Sequence, residues 1–104
     1  MALSQEQKKQ FKSIGHHLKP VLIVAENGLT EGVMAELERA LNDHELIKVQ
    51  FRITEREDRR ALIDELCRNG SCELIQTIGK MALVYRRNAK PNRNLSNVAR
   101  FSGL

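Results

Sequence analysis

Apolar residues recur at helical spacing in three stretches of the chain, and each stretch follows residues that are suited to cap a helix. Ser4 and Gln7 form a capping box before the first stretch, and Thr30 is a suitable N-cap for the second. Thr54 and Glu57 form a capping box before the third. The pattern therefore predicts helices that begin near residues 5, 31 and 55 and end near residues 15–17, 43 and 69. The side chains expected to face inward are Phe11, Ile14, Leu18, Val33, Leu37, Ala40, Leu41, Ala61, Leu62, Leu66 and Cys67.

Two segments between these helices carry strand patterns. Residues 21–24 form a continuous apolar run, which is typical of a strand that is buried on both faces and central in its sheet. Residues 46–53 alternate after their first position, with apolar side chains on one face and Lys48, Gln50 and Arg52 on the other. This second strand should therefore have one buried face and one basic face.

Two further strands are predicted after the third helix, over about residues 72–77 and 80–86. They are joined at Ile78-Gly79, where glycine can adopt the positive φ of a tight hairpin. The order α-β-α-β-α-β-β predicts an α/β fold, a small two-layer domain with helices packed on a four-stranded mixed sheet. A chain of 104 residues has room for one such domain and excludes the large catalytic architectures.

Charge is segregated along the chain. The 17 Lys and Arg against 13 Asp and Glu give a net charge of +4, but residues 86–104 hold five bases and no acid. The other 85 residues therefore carry 12 bases and 13 acids, or −1. Within them, residues 1–24 are basic and residues 26–45 are acidic. This segregation indicates either a bipolar surface with one face for a polyanion, or charged faces that are merely solvated.

The chain from residue 88 onward is rich in Asn and Ser and lacks apolar periodicity. We therefore expect residues 1–87 to form the domain and residues 88–104 to form a flexible basic tail, which either follows a phosphate backbone or only keeps the domain in solution. The first residues lack the apolar core of a signal peptide, and the longest apolar run is too short to cross a bilayer, so a cytoplasmic protein without a membrane partner is expected.

Candidate catalytic and metal-binding residues are few. The sequence offers no nucleophile with an identifiable base, no phosphate loop of the Walker type and no carboxylate cluster with ligand spacing, so we expect neither an enzyme nor a small-molecule substrate. His16 and His17 are adjacent at a helix end and would need further ligands to hold an ion. Cys67 and Cys72 have no second cysteine pair and are interpreted as reduced core thiols. No cofactor or metal is expected.

The turn at residues 25–30 is the most informative segment because it leads from a strand to a helix N-terminus. Unpaired backbone N–H groups there can bind a phosphate, and Gly28 lets a nucleic-acid backbone come close. The alternative is an ordinary glycine turn with a threonine cap. Glu26 and Glu31 would repel a phosphate unless they point away.

A resemblance to a known family rests on three separated motifs. They are residues 18–33, residues 44–49, and residues 78–80 with 83–86. In this order they resemble the CRM (CRS1-YhbY) RNA-binding domain, specifically its stand-alone bacterial type, over about residues 3–87. The resemblance implies a fold similar to the C-terminal domain of translation initiation factor 3, RNA binding, and association with precursors of the large ribosomal subunit. The GxxG loop of the family aligns with residues 25–28, where Ala25 replaces the first glycine.

The leading hypothesis is therefore a monomeric, non-catalytic ribosome-assembly factor whose partner is ribosomal RNA. Phosphate contacts are expected from Lys8, Lys9, Lys12, Lys19, Asn27, Gly28, Leu29, Thr30, Lys80, Arg86 and Arg87. One alternative is a protein-interaction module that docks a basic partner on the acidic second helix, through Glu31, Glu36, Glu38 and Asp43. Another is a small nuclease or metal enzyme that uses His16 or His17.

Overall fold

The computed structural model describes residues 3–101. Its elements, in chain order, are α1 (Gln5–Gly15), β1 (Pro20–Val24), α2 (Glu31–His44), β2 (Leu46–Phe51), α3 (Arg56–Asn69), β3 (Glu73–Ile78), β4 (Met81–Tyr85) and α4 (Asn97–Arg100). The predicted order of three helices and four strands is confirmed. The short helix α4 was not predicted, because its four residues are too few to produce a hydrophobic period.

The strands form one mixed sheet in the order β1-β2-β4-β3, with β1 parallel to β2 and β4 antiparallel to both of its neighbours. The mixed four-stranded sheet is therefore confirmed. The central position predicted for β1 is wrong, since it is an edge strand and Val21 and Ile23 are 50% and 44% exposed. An apolar run shows that a strand is hydrophobic, but not whether a helix covers its second face.

The core has two parts, one on each face of the sheet. On the first face, α2 and α3 cover the strands with Leu37, Leu41, Ile63 and Leu66. On the other face, Phe11 and Ile14 of α1 pack against Leu46, Ile75 and Leu83. Val98 and Phe101, in and after α4, join this second cluster. The predicted α/β class is confirmed, and α1 with α4 adds a partial third layer to the two that were expected.

Two of the predicted helix caps are confirmed. The Ser4 hydroxyl accepts from the Gln7 N–H at 3.1 Å, and the Thr30 hydroxyl accepts from the Val33 N–H at 3.2 Å. The capping box predicted at Thr54 is wrong, because α3 begins at Arg56, one residue later than predicted, and its N-cap, Glu55, makes no side-chain cap bond.

A side chain from α3 occupies the turn before this helix. The Arg59 guanidinium donates to the carbonyl of Ile53 at 2.9 Å and to that of Thr54 at 3.4 Å. The inward face of α3 also differs from the prediction, since Ile63 is buried and Ala61 is exposed. The core-facing stripe therefore passes through Ile63 and Leu66, three positions apart.

The segment whose composition predicts a flexible tail lies against the domain over residues 88–101. The buried Glu45 carboxylate accepts from the Ser96 hydroxyl at 2.7 Å and from the Asn88 N–H at 2.8 Å. The Asn97 amide donates to the Leu46 carbonyl at 2.7 Å. These bonds give residues 88–101 a defined place beside α1 and β2. Residues 1–2 of the predicted domain and 102–104 of the predicted tail lie outside the described range.

Candidate nucleic-acid interface

The loop after β1 and the β3–β4 turn lie at the same end of the sheet. Because β1 and β2 are parallel, they end together, and the Arg52 N–H donates to the Val24 carbonyl at 2.7 Å. The Phe51 N–H donates to the Lys80 carbonyl at 2.7 Å, which places the turn between β3 and β4 at the end of β2. We call this end the carboxyl edge. Two strand spacings, about 10 Å, separate β1 from β4 there.

The loop of residues 25–30 is a closed turn at the carboxyl edge. The Gly28 N–H donates to the Ala25 carbonyl at 2.9 Å, and Gly28 has a φ of 73°, which explains why glycine is needed at this position. Leu29 packs against the core beneath the loop, whereas Asn27 is exposed. Among residues 3–101 the non-glycine residues with positive φ are Glu45 and Ser71, so Ala25 is not in that region. Alanine at the first GxxG position is therefore free of the backbone strain that a positive φ would cause.

One half of the α1 face of the sheet is open. A row of paired residues, Ile23, Gln50, Met81 and Ile78, crosses all four strands there. We define the open sheet face as this row together with Val21 and Lys48. Val21, Ile23 and Ile78 are 50%, 44% and 53% exposed, and no acid belongs to the face. By alternation, Arg52 extends the same side of β2 beyond the row.

Helix α1 borders this open sheet face and carries the predicted lysines. Its Phe11 ring lies 4.6 Å from that of Tyr85, whereas Gly15 contacts Leu83, so the helix runs toward the carboxyl edge. A cavity of about 90 Å³ lies where the end of α1 meets β3 and β4. Of the lysines, Lys9 and Lys12 are exposed and Lys8 is half-buried.

The structure therefore brings most of the predicted site residues around one face and one edge. Lys19 is exposed beside the start of β1, and Lys80 is exposed in the turn at the carboxyl edge. Gly28 and Leu29 are half-buried within the loop. Thr30 is exposed, but its hydroxyl already accepts the capping bond of α2.

Arg86 and Arg87 lie at the opposite end of the sheet, after β4, where Tyr85 pairs with Leu46. The Arg86 guanidinium donates to the Glu38 carboxylate at 2.8 Å, to the Asn42 amide oxygen at 2.9 Å and to the Gly70 carbonyl at 3.0 Å. The hydrogen bond from Arg86 lowers the pKa of Glu38 below its ordinary value. Arg86 is thus occupied by internal contacts that join α2, the end of α3 and β4, whereas Arg87 is exposed.

Three arginines that sequence reasoning missed line a cleft of about 500 Å³ between α3 and β3. They are Arg56, Arg59 and Arg60, and the opposite wall includes Thr77 and Gly79. Their spacing at i, i+3 and i+4 was the available signal, because these positions are neighbours on a helix surface. Glu57 and Asp58 lie between Arg56 and Arg59 and hid this basic pattern. The positive end of the helix dipole already explains acids in a first turn, so the segment did not stand out as a binding site.

His17, His44 and the two cysteines take part in ring stacking and hydrogen bonds within the fold. His44 Nδ1 lies 2.9 Å from the Leu95 carbonyl, and His17 stacks on Phe101 with ring centroids 6.2 Å apart. The half-buried thiols of Cys67 and Cys72 share a hydrogen bond that lowers the pKa of Cys67 and raises that of Cys72. In residues 3–101, no three His, Cys, Asp or Glu side chains form a group able to hold a metal ion. None of the helices within residues 3–101 combines the length and the hydrophobicity that a bilayer-spanning segment needs.

The acidic surface of α2 is partly neutralised within the chain. Glu36 pairs with Arg39 at 2.9 Å, and Glu38 pairs with Arg86 at 2.8 Å. Two of the four acids proposed to dock a basic protein therefore already have cationic partners.

Comparison with known proteins adds an independent line of information. The sequence model of the CRS1 / YhbY (CRM) domain matches residues 3–86. A Pseudomonas aeruginosa protein named "Probable RNA-binding protein" is 77% identical over 104 residues, which is the full length of both chains. A Haemophilus influenzae protein named "RNA-binding protein" is 46% identical over 84 residues, covering 81% of this chain and 85% of that one. The solution structure of a Staphylococcus aureus hypothetical protein superposes with a TM-score of 0.74 at 28% identity, covering 86% of this chain and 93% of that one.

Proposed function

The chain belongs to the CRS1 / YhbY (CRM) domain family, and on that premise we propose that it is a non-catalytic RNA-binding protein that assists assembly of the large ribosomal subunit. Its partner in this proposal is ribosomal RNA in a subunit precursor. The protein acts in the cytoplasm as a monomer, and it needs no cofactor. The names of its relatives support the RNA-binding part of the proposal.

The observation that carries the proposal is the acid-free open sheet face, with bases beside it. Lys48 lies on this face, and Arg52 and Lys80 stand at the carboxyl edge. Such an arrangement favours phosphate binding, because each contact releases counterions from the nucleic acid. The exposed aliphatic side chains of Val21, Ile23 and Ile78 offer apolar contact for unstacked bases without an aromatic platform.

The loop at residues 25–28 and the α1 lysines extend this surface in two directions. At the carboxyl edge, the turn at Gly28 leaves the main chain accessible to RNA. Along α1, Lys9 and Lys12 extend the positive charge of the open sheet face. Arg86 is left out of the proposed interface because its guanidinium is engaged by three internal acceptors. The acidic α2 surface receives less support as a protein-docking site, since two of its acids are paired.

The test compares wild type with a Lys8→Ala/Lys9→Ala/Lys12→Ala variant in binding to a labelled transcript of large-subunit ribosomal RNA. Fluorescence anisotropy across a salt series should give a steep loss of affinity with salt for wild type. The triple variant should bind more weakly, with a slope of log Kobs against log salt reduced by about 2 to 3, and should keep its circular dichroism spectrum. Unchanged affinity in the triple variant would remove α1 from the interface.

The ribosomal part of the proposal needs a separate measurement. Lysate sedimented through a sucrose gradient at low and at moderate salt should show the protein travelling with large-subunit precursors at low salt. A protein that stays at the top of both gradients, while still binding the transcript in solution, would contradict the assembly role and leave RNA binding intact. A complex that survives nuclease treatment would instead support the protein-docking alternative.

A further inference from the structure

The α3–β3 cleft lies on the face of the sheet opposite to the open sheet face. Its lining residue Thr77 is adjacent in β3 to Ile78, which belongs to the open sheet face, and neighbouring strand residues point to opposite sides. Gly79 also lines the cleft and is followed by Lys80 at the carboxyl edge. The β3–β4 turn therefore connects the two surfaces.

The charge in this cleft is unbalanced. Three arginines line it against one acid, Asp64. Residues 3–101 form two ion pairs, and neither includes an arginine of α3. Arg56 and Arg60 are exposed, whereas Arg59 is half-buried and anchored by the carbonyls of Ile53 and Thr54. An excess of positive charge is therefore held on one wall of a preformed cleft.

The size and chemistry of the cleft suit a phosphodiester group. A volume of about 500 Å³ is within the range of ligand sites and exceeds what one phosphate requires. Guanidinium groups bind phosphate oxygens through paired N–H donors, and Arg59 is already oriented by its backbone acceptors. The Thr77 hydroxyl adds a neutral donor on the facing wall.

From these observations we infer that the α3–β3 cleft, through Arg56 and Arg60, binds a phosphate of the RNA after its strand has passed over the β3–β4 turn. The inference rests on the proposed function and deepens it: RNA contacts both faces of the sheet rather than lying on one. A nucleic acid that follows this path must bend around the turn, so single-stranded or locally unpaired RNA fits better than a straight duplex.

The experiment uses the full chain and two charge-matched double variants. Arg56→Ala/Arg60→Ala removes the two exposed arginines of the three that line the cleft, and Arg39→Ala/Arg68→Ala removes two exposed helical arginines that do not line it. Alanine is a good helix former, so both variants should keep their fold, which thermal unfolding checks. The probe is the same labelled large-subunit ribosomal RNA transcript in the same salt series.

The cleft variant should bind about tenfold more weakly at physiological salt, with a salt slope lower by about 1, as expected when one phosphate is no longer neutralised. The control variant should stay within about threefold of wild type, since Arg39 is already paired with Glu36 and neither arginine lines the cleft. Arg56→Lys/Arg60→Lys should recover part of the affinity, because lysine keeps the charge but not the paired donors.

The two levels of the proposal fail in different ways. If wild type does not bind the transcript, the proposed function itself is wrong. If wild type binds and the two alanine variants bind equally well, RNA binding stands and the cleft inference is overturned. Weaker RNA binding by the control than by the cleft variant would also overturn it, because affinity would then follow other charges.

Discussion

Replacing Arg86 with alanine should destabilise the protein more than it affects RNA binding. The Arg86 side chain is 20% exposed and supplies three hydrogen bonds, to Glu38, Asn42 and Gly70. These partners belong to α2 and to the residue that ends α3, whereas Arg86 follows β4. The substitution therefore removes the side chain that links the end of β4 to α2 and to the end of α3.

The loss of folding stability caused by Arg86→Ala follows from how exposed each of the three hydrogen-bond acceptors is. The Glu38 side chain is 58% exposed, so its ion pair contributes at most about 1 kcal/mol. The carbonyl of the buried Gly70 loses this donor at a cost of about 1 to 2 kcal/mol, and the bond to Asn42 adds about 0.5 to 1 kcal/mol. Arg86→Ala should thus lower the free energy of unfolding by about 2–3 kcal/mol and the Tm by about 10–15 °C.

Urea unfolding followed by far-ultraviolet circular dichroism measures this change, with Arg87→Ala as the control. Arg87 is the exposed neighbour with the same charge, and its removal should shift stability by less than about 0.5 kcal/mol. At a temperature where it is folded, the Arg86→Ala variant should bind RNA about as well as wild type. An Arg86→Ala variant that is as stable as wild type but binds RNA more weakly would refute this reasoning and return Arg86 to the interface.

Other predictions concern the loop, the anchored tail and the acidic pair. Gly28→Ala should cost about 1 to 2 kcal/mol in urea unfolding because of the positive φ, whereas Gly32→Ala, inside a helix, should be neutral or stabilising; equal effects would contradict the loop geometry. Ser96→Ala leaves the buried Glu45 carboxylate without one donor and should cost about 1–3 kcal/mol, with faster proteolysis of the tail; an unchanged digestion rate would argue against the anchor. Since folding lowers the pKa of Glu38, the small stability advantage of wild type over Glu38→Gln should be present near neutral pH and disappear on acidification below the ordinary pKa of about 4.5; an advantage that persisted in acid would contradict the ion pair.

Features that depend on near neighbours in the chain were predictable. The starts of α1 and α2 were predictable because Ser4 and Thr30 cap these helices through bonds to residues three positions further on. The turn at Gly79 was predictable because glycine tolerates a positive φ, and its φ is 57°. The alternation in β2 correctly separated its buried side from the side of Lys48 and Gln50. In each case the determining contact lies within a few residues, so the local sequence contains it.

The site was predictable only in part. Charge and glycine placement pointed to the 25–30 loop and to Lys80, but not to the cleft, because its cations come from α3 and its other wall comes from β3. Neither element alone forms a concave surface. The cleft exists because the two elements pack side by side, and packing is a property of the folded chain.

The element order, the α/β class, two of the three helix caps and the segregation of charge could be read from periodicity and composition. The edge position of β1 with Ile23 exposed, the contacts of Arg86 with acceptors up to 48 positions away, and the basic wall of α3 could not be read in this way. Strand order, helix coverage and ion pairing are set by contacts between distant parts of the chain. Such contacts leave no period in the sequence, so they become visible only once the sheet is assembled.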